Sequence, residues 1–189
     1  MPIIPISGSA VGKGAIVPIA RSVVTSTTAS DVTFNNIPQI YQDLMIVVNA
    51  RRTDNELQTN LLLTPYYSGI SASPQSTTIL SADGVTVSTL RYSGQDAQFA
   101  GAVPGALSQV GAFGSCVAHV LSYANTSNFK VTLYRSTGET TNSGLTRFSV
   151  GLTRGLLGMT VVNLSTFNGS LYFIPGTSIT VYGVRSINQ

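Results

Sequence analysis

The stretch Phe129-Lys-Val-Thr-Leu-Tyr134 alternates between two kinds of side chain. Its first, third and fifth residues are apolar and fall on one side of an extended chain, while the other three fall on the opposite side. This two-residue period predicts a half-buried antiparallel strand. A second stretch, Leu44-Met-Ile-Val-Val48, is apolar at every position. That pattern suits a central strand covered on both faces, or a strand covered by a neighbouring subunit.

About ten segments of the chain have strand composition, and turn-forming residues such as Ala82-Asp-Gly84 separate them. Apolar residues at helical spacing are absent from all long segments. These features predict an all-β fold, an antiparallel β-sandwich of jelly-roll type, with a closed barrel as the alternative. The predicted strands are 31–34, 43–51, 60–64, 85–90, 116–123, 129–134, 147–152, 159–164, 169–173 and 178–182.

Residues 1–20 differ in character and are predicted to form an extended N-terminal arm, with the β-sandwich domain in residues 21–189. Prolines and glycines keep the arm from folding alone, yet its isoleucines carry much apolar surface. We expect it to dock on another subunit or on its own sandwich, a disordered terminus being the alternative. The residues expected to become buried are Ile3, Ile4, Ile6, Ile16, Val17 and Ile19.

A second unusual stretch, residues 95–114, is rich in small residues and contains one proline. This composition predicts a long loop or a loosely structured excursion, and not a helix. Because long ordered loops often contact partners, the stretch is also a candidate contact region.

Only 9% of the 189 residues are charged, although 43% are hydrophobic. Ser, Thr, Asn and Gln therefore supply most of the polar surface, and uncharged groups cost far less to desolvate than ions. The composition thus points to an assembled state. The net charge of +3 is spread along the chain, and Arg51 and Arg52 are the only adjacent pair of cations. Since phosphate binding needs cations that converge on one surface, we expect no nucleic-acid partner.

The residues that usually carry chemistry are few. Cys116 is the only cysteine, which excludes an internal disulfide, and its apolar neighbours predict a buried thiol. His119, the only histidine, is three residues away and therefore points to the opposite face of a strand. The glycines around Lys13 miss the spacing of a phosphate-binding loop, and the seven carboxylates lie mostly in predicted turns. We therefore expect no cofactor, no metal site and no enzymatic activity, a hydrolase of surface polymers being the minor alternative.

Three tyrosines, Tyr66, Tyr67 and Tyr92, are candidates for stacking on sugar rings. The competing interpretation places them in the core or in a subunit interface. The N-terminus lacks the pattern of a signal peptide, and no apolar run reaches the length of about 20 residues that spans a bilayer. We therefore expect synthesis in a cytoplasm and no membrane insertion.

Three stretches resemble a family of small bacteriophage virion proteins. They are Asn36-Ile-Pro-Gln-Ile-Tyr-Gln-Asp-Leu44 with the apolar strand that follows it, Tyr123-Ala-Asn-Thr126, and Phe173-Ile-Pro-Gly176 with the strand that closes the chain. The resemblance runs from Val32 to Val184 and matches poorly in the middle loops.

The resemblance implies a jelly-roll-like sandwich on a virion, in a tail or baseplate fibre or as a head decoration or cement protein, often trimeric. Because only about 20 to 30 residues precede the domain, a compact decoration, cement or short tail appendage is favoured over a long fibre. The expected partners are copies of the chain, in a trimer, and other capsid or tail proteins. A glycan-binding receptor module that recognises a host-surface glycan is the alternative function. The expected location is the virion, assembled in the host cytoplasm.

Overall fold

A computed structural model describes residues 4–5, 16–26, 29–67, 70–71, 74–139, 144–166 and 172–185. Every regular element in these ranges is a β-strand, which confirms the all-β prediction. The strands are β1 (Ile4–Pro5), β2 (Ile16–Val23), β3 (Asp31–Phe34), β4 (Asp43–Ala50), β5 (Gln58–Tyr67), β6 (Ile70–Ser71), β7 (Gln75–Ala82), β8 (Val87–Gln95), β9 (Gln98–Pro104), β10 (Gly114–Val120), β11 (Lys130–Glu139), β12 (Gly144–Thr153), β13 (Val161–Thr166) and β14 (Ser178–Val184).

The strands form two antiparallel sheets. Nine strands make the larger sheet, in the order β1-β2-β14-β4-β10-β11-β12-β7-β8. The smaller sheet has the order β3-β13-β5-β6, and β9 also pairs with β5. The β-sandwich is therefore confirmed. A jelly roll is an eight-stranded arrangement of two Greek keys, and these strand orders do not confirm that topology.

The core lies between the two sheets and is built from alternate residues of their strands. In β4, for example, Leu44, Ile46 and Val48 are fully buried, and Met45 and Val47 point the other way and stay partly exposed. β14 and β10 flank this strand within the sheet, but the face that carries Met45 and Val47 is only partly covered, so coverage on both faces is not seen within one chain and coverage by a neighbouring subunit stays a prediction. Other large core side chains are Phe34, Leu61, Leu63, Tyr123, Met159, Val162 and Phe173.

The prediction that residues 95–114 form a long loop is wrong for residues 98–104, which form strand β9. Its seven residues are all buried, and it packs beneath β10, β11 and β12 while pairing with β5. The small side chains that suggested a loop make this close approach possible: a Cβ atom added to Gly101 would lie 2.6 Å from Cβ of Ser136. Within the stretch, a short turn at residues 96–97 precedes the strand, and residues 105–113 form the loop. Composition alone did not reveal that these small residues form a strand of the smaller sheet that packs closely against the larger one.

The adjacent arginines Arg51 and Arg52 are both buried, with 7% and 0% of their surface exposed. The guanidinium group of Arg51 donates to main-chain carbonyl groups of the loop after β9, including those of Gln109 at 2.5 Å and Ser108 at 3.2 Å. Arg52 donates to the hydroxyl group of Thr59 at 2.8 Å. Arg51 therefore fixes the loop after β9, and Arg52 forms a hydrogen bond to β5.

The larger sheet begins N-terminal of the predicted domain boundary. Strand β2 starts at Ile16, inside the segment assigned to the arm, and pairs with β14 from Ile16 opposite Val184 to Val23 opposite Ser178. At Ile4 and Pro5, β1 adds a short pair to the other edge of β2. Residues 16–20 thus belong to the sheet, because their backbone groups complete the ladder along β14.

Candidate assembly surface

We name the side of the nine-stranded sheet that points away from the smaller sheet the outer face. Strand pairing aligns its side chains in rows that run across β4, β10, β11, β12 and β7. The first row consists of Met45, His119, Leu133, Val150 and Thr78. The second consists of Val47, Val117, Arg135, Phe148 and Leu80. Seven of these ten side chains are apolar, so the two rows form one apolar band.

The part of the band that lies on β11, β12 and β7 is open to solvent. Leu133, Phe148, Val150 and Leu80 expose 43%, 52%, 50% and 45% of their surface. Scattered exposed apolar residues are ordinary, but adjacent ones in two rows form a patch, and such patches mark contact sites. The outer face is therefore a candidate surface for protein contact.

The inner side of the same strands explains why the apolar residues point outward. Tyr134 is buried and donates its hydroxyl hydrogen to Oε1 of Gln98, whose Nε2 donates to Oγ1 of Thr153 at 2.7 Å. That hydroxyl donates in turn to Oε1 of Gln75 at 3.3 Å. This chain of hydrogen bonds satisfies polar groups that would be costly to bury alone. The interior side of these strands is therefore polar and in large part hydrogen-bonded, although the hydroxyl groups of Thr132 and Ser149 have no partner among the described residues, and the apolar side of each strand is left outside.

Lys130 belongs to the same interior. It is fully buried, and its ammonium group donates to the carbonyl group of Asn128 at 2.9 Å and lies 5.9 Å from the ring centroid of Tyr67. Burial lowers the pKa of this lysine. The strand pattern around residue 130 therefore has the predicted alternation, with the apolar side exposed and the polar side buried.

A depression of about 310 Å³ lies in the middle of the outer face. Its lining includes Val117, Leu133, Phe148 and Val150, with Arg135 and His119 on its sides. The walls are mainly apolar, and a side chain of a partner protein would lose its water contacts there.

Arg135 is the one permanent cation within the two rows, and Arg91 and Arg21 lie on the same face where the rows continue into β8 and β2. At the border of the first row, Nε2 of His119 lies 3.4 Å from Oδ2 of Asp43. The other carboxylate oxygen of Asp43 accepts a hydrogen bond from the main-chain N–H of Ser122 at 2.7 Å. The imidazole of His119 is thus held beside a carboxylate on the outer face, opposite the side on which Cys116 is buried.

The predicted arm residues fall in three groups. Ile3 and Ile6 lie outside the described residues, and Ile4 is in the short strand β1. Ile16, Val17 and Ile19 are in β2, and Ile19 packs against the core. Ile16 keeps 49% of its surface exposed. The described part of the arm is thus a strand of the larger sheet, in which Val17 and Ile19 are partly buried, and burial of the six residues by docking stays a prediction.

The three candidate sugar-stacking tyrosines do not meet on one surface. Tyr67 is buried and donates to the carbonyl group of Gly155 at 3.3 Å, and burial raises its pKa to about 12. Tyr92 stacks on Phe99 with 4.0 Å between ring centroids, so one face of its ring is covered. Tyr66 alone lies on the outer side of the smaller sheet, where it is partly exposed. Glycan binding stays a prediction that rests on Tyr66.

The thiol group of Cys116 is buried and donates to the carbonyl group of Ala100 at 3.3 Å. Burial raises its pKa to about 12. Because the thiolate is the reactive form of cysteine, the side chain is chemically inert at neutral pH.

Among the residues that the structure describes, no group of three or more His, Cys, Asp or Glu side chains is arranged to hold a metal ion. Those residues also include no helix that is long and apolar enough to cross a bilayer.

Two features of the surface were missed in the sequence. β7 was not predicted, because Gln75-Ser-Thr-Thr78 lacks the apolar alternation of a half-buried strand. The direction of the apolar side chains in β11 and β12 was missed as well. A signal was present, since Lys130, Thr132 and Tyr134 share one face with Ser136, and these side chains can bond to each other or to the main chain.

Comparisons with known proteins give this chain no relatives: no family model, no curated protein and no solved structure matches it.

Proposed function

We propose that this chain is a structural protein of a bacteriophage virion, a head decoration or cement protein or a short tail or baseplate appendage. In this proposal it acts through protein–protein assembly, with the outer face as its principal contact surface. The partners are copies of the chain and neighbouring capsid or tail proteins. The trimeric state that the sequence resemblance implies remains a prediction.

The observation that carries this proposal is the apolar band on the outer face. Fully burying one Val, Leu or Phe side chain is worth about 1.5–3 kcal/mol, so each half-exposed residue of the band would gain roughly 1 kcal/mol on being covered. Leu133, Phe148, Val150 and Leu80 together supply a favourable term of a few kcal/mol, on that same scale. Assembly removes the unfavourable contact between these apolar side chains and water.

The scarcity of charge supports the same proposal. A surface with few ions loses little hydration energy when a partner covers it. Hydroxyl and amide groups at the margin, such as those of Thr78, Thr137 and Asn49, are suited to hydrogen bonds at the polar rim of an interface. A coat component that assembles through this face would use both properties.

The test uses an antibody against the chain to label purified virions, together with sedimentation of the purified protein. We expect label on particles and a mass above that of one chain. The double variant Leu133→Ser/Phe148→Ser should lower the mass and abolish uptake by particles. Its Tm should stay close to that of the wild type, because neither side chain is in the core.

The matched control is Val85→Ser, which changes a side chain that is 96% exposed at a hairpin tip outside the band. This variant should assemble like the wild type. A wild-type protein that sediments as a stable monomer and never appears on particles would rule out the proposed function. Turnover of a surface polysaccharide by the purified chain would favour the hydrolase instead.

A further inference from the structure

Strand β8, Val87–Gln95, ends the nine-stranded sheet. Its inner edge pairs with β7 from Ala82 opposite Val87 to Gln75 opposite Gln95. No strand in the described ranges pairs with its other edge. Such an edge presents a row of main-chain donors and acceptors that another strand can meet.

The hairpin geometry shows which groups point outward. At its turn, the main-chain N–H of Asp83 donates to the carbonyl group of Thr86 at 3.2 Å. Hydrogen-bonded pairs alternate with non-hydrogen-bonded pairs along an antiparallel ladder, so Leu90 directs its main-chain groups toward Ile79 of β7. Thr89 and Arg91 therefore direct theirs outward.

β8 lacks most of the features that protect edge strands. Natural edges are kept apart by charged side chains, above all lysine, and by proline, short length or a bulge. The one charged side chain of β8 is Arg91. β8 is nine residues long and contains neither lysine nor proline. Its bulge lies near the C-terminal end, where Gly94 has a φ of 69°. The strand from Val87 to Ser93 is therefore regular and available for pairing.

The side chains of β8 also favour a partner. Leu90 lies beside the buried Ile79 in the register, yet exposes 52% of its own surface. Val87 exposes 68%. A neighbouring strand would extend the row of Ile79 and Leu90 and cover the exposed side of the leucine.

We propose that β8 pairs in antiparallel fashion with β8 of a second copy of this chain, with the two-fold axis at Leu90. This inference rests on the self-association in the proposed function and names a separate surface for it. A second copy fits because an antiparallel pair of identical strands is self-complementary, so each outward N–H meets a carbonyl group of its mate.

The side chains select the register. With the axis at Leu90, the two leucines lie opposite each other and Arg91 lies opposite Thr89 of the second copy. An axis at Arg91 would place two guanidinium groups opposite each other, which is destabilising. An axis at Thr89 would leave each leucine opposite Ser88. The Leu90 register alone joins the two apolar side chains.

Disulfide trapping tests the register. In a Cys116→Ala background, Leu90→Cys places two thiols at a non-hydrogen-bonded pair, where Cα atoms are about 4.5 Å apart and a disulfide forms readily. We expect mild oxidation to convert this variant to a covalent dimer. Ser88→Cys is the control, since its two copies would be four residues out of register. Equal cross-linking of both variants, or none at Leu90, would overturn the proposal.

Sedimentation of proline variants separates this contact from the outer face. Thr89→Pro removes a main-chain N–H that points away from β7 and leaves the hydrogen bonds to β7 intact. The mass of the assembly should therefore fall by half. The control variant Thr89→Ala keeps this N–H and should leave the mass unchanged. An assembly of unchanged mass in Thr89→Pro would overturn β8 pairing and leave the outer face as the assembly surface. A wild type that is already monomeric would overturn both proposals.

Discussion

At the scale of single residues, burial decides what the few reactive groups can do. Cys116 and His119 are three positions apart in β10, yet one lies in the core and the other on the outer face. A strand separates such residues by its geometry, so a thiol–imidazole pair cannot form. The cysteine contributes packing and a hydrogen bond, and the histidine lies beside Asp43.

The raised pKa of Cys116 gives a prediction about alkaline stability. The thiol ionises at its ordinary value of 9.0 in the unfolded chain and at about 12 in the folded protein. The unfolded state is therefore favoured as pH rises through this window, and stability falls by about 1.4 kcal/mol per pH unit above 9. Below pH 9 the thiol is protonated in both the folded and the unfolded state, so its ionisation does not lower the stability.

The measurement is the free energy of unfolding between pH 8 and 10, and because tyrosines also titrate toward pH 10, the effect of the thiol is the difference between the two proteins. Cys116→Ala should be less stable than the wild type at pH 8 but should lose less stability on going to pH 10. Parallel pH dependences in the two proteins would show that the thiol does not contribute.

At the scale of elements, β9 depends on the absence of side chains. It runs under β10, β11 and β12, and Gly101 is the closest point of approach, because any Cβ there would meet Ser136. The main-chain N–H of Ala102 also donates to the hydroxyl group of Ser136 at 3.3 Å. The strand is thus positioned by contact and by a hydrogen bond to the other sheet.

We predict that Gly101→Ala lowers the free energy of unfolding by about 1–3 kcal/mol, the usual cost of overpacking. Gly144→Ala is the matched control, since an added Cβ at that strand position meets nothing within 4 Å. Combining Gly101→Ala with Ser136→Gly should recover part of the loss. Denaturant unfolding measures all three variants, and a neutral Gly101→Ala would contradict this account of β9.

At the scale of the whole molecule, the two sheets share one core. Buried side chains of β4 and β10 meet those of β5 and β13 in a single cluster, and β9 contacts both sheets. Each sheet buries the apolar side chains of its inner face only by packing against the other sheet. The sandwich is therefore expected to unfold as one unit.

This expectation is tested by thermal unfolding followed with two probes. Far-ultraviolet circular dichroism reports the strands, and near-ultraviolet dichroism reports the eight tyrosines, since the chain has no tryptophan. The two transitions should coincide. A lower-temperature step seen only in the tyrosine signal would indicate that part of the sandwich melts separately.

The amino-acid sequence by itself determined the fold class and most of the strands. Two-residue alternation, scarce helix formers and frequent turn residues all act locally, so segments such as 31–34 and 178–182 were identified without tertiary information. The unbroken apolar run of β4 predicted a strand inside the sheet, although one of its two faces is only partly covered. The opposite directions of Cys116 and His119 followed from strand geometry.

Only the tertiary structure decided which side of β11 and β12 faces the core. Alternation defines two faces, but choosing the inner one depends on partners distant in sequence, such as the hydrogen bonds that join Tyr134, Gln98 and Thr153. The same holds for β9, whose small residues are explained only by the close packing of this strand of the smaller sheet against the larger sheet. The candidate assembly surface could not be read from the chain, because apolar residues are exposed where a polar network fills the interior.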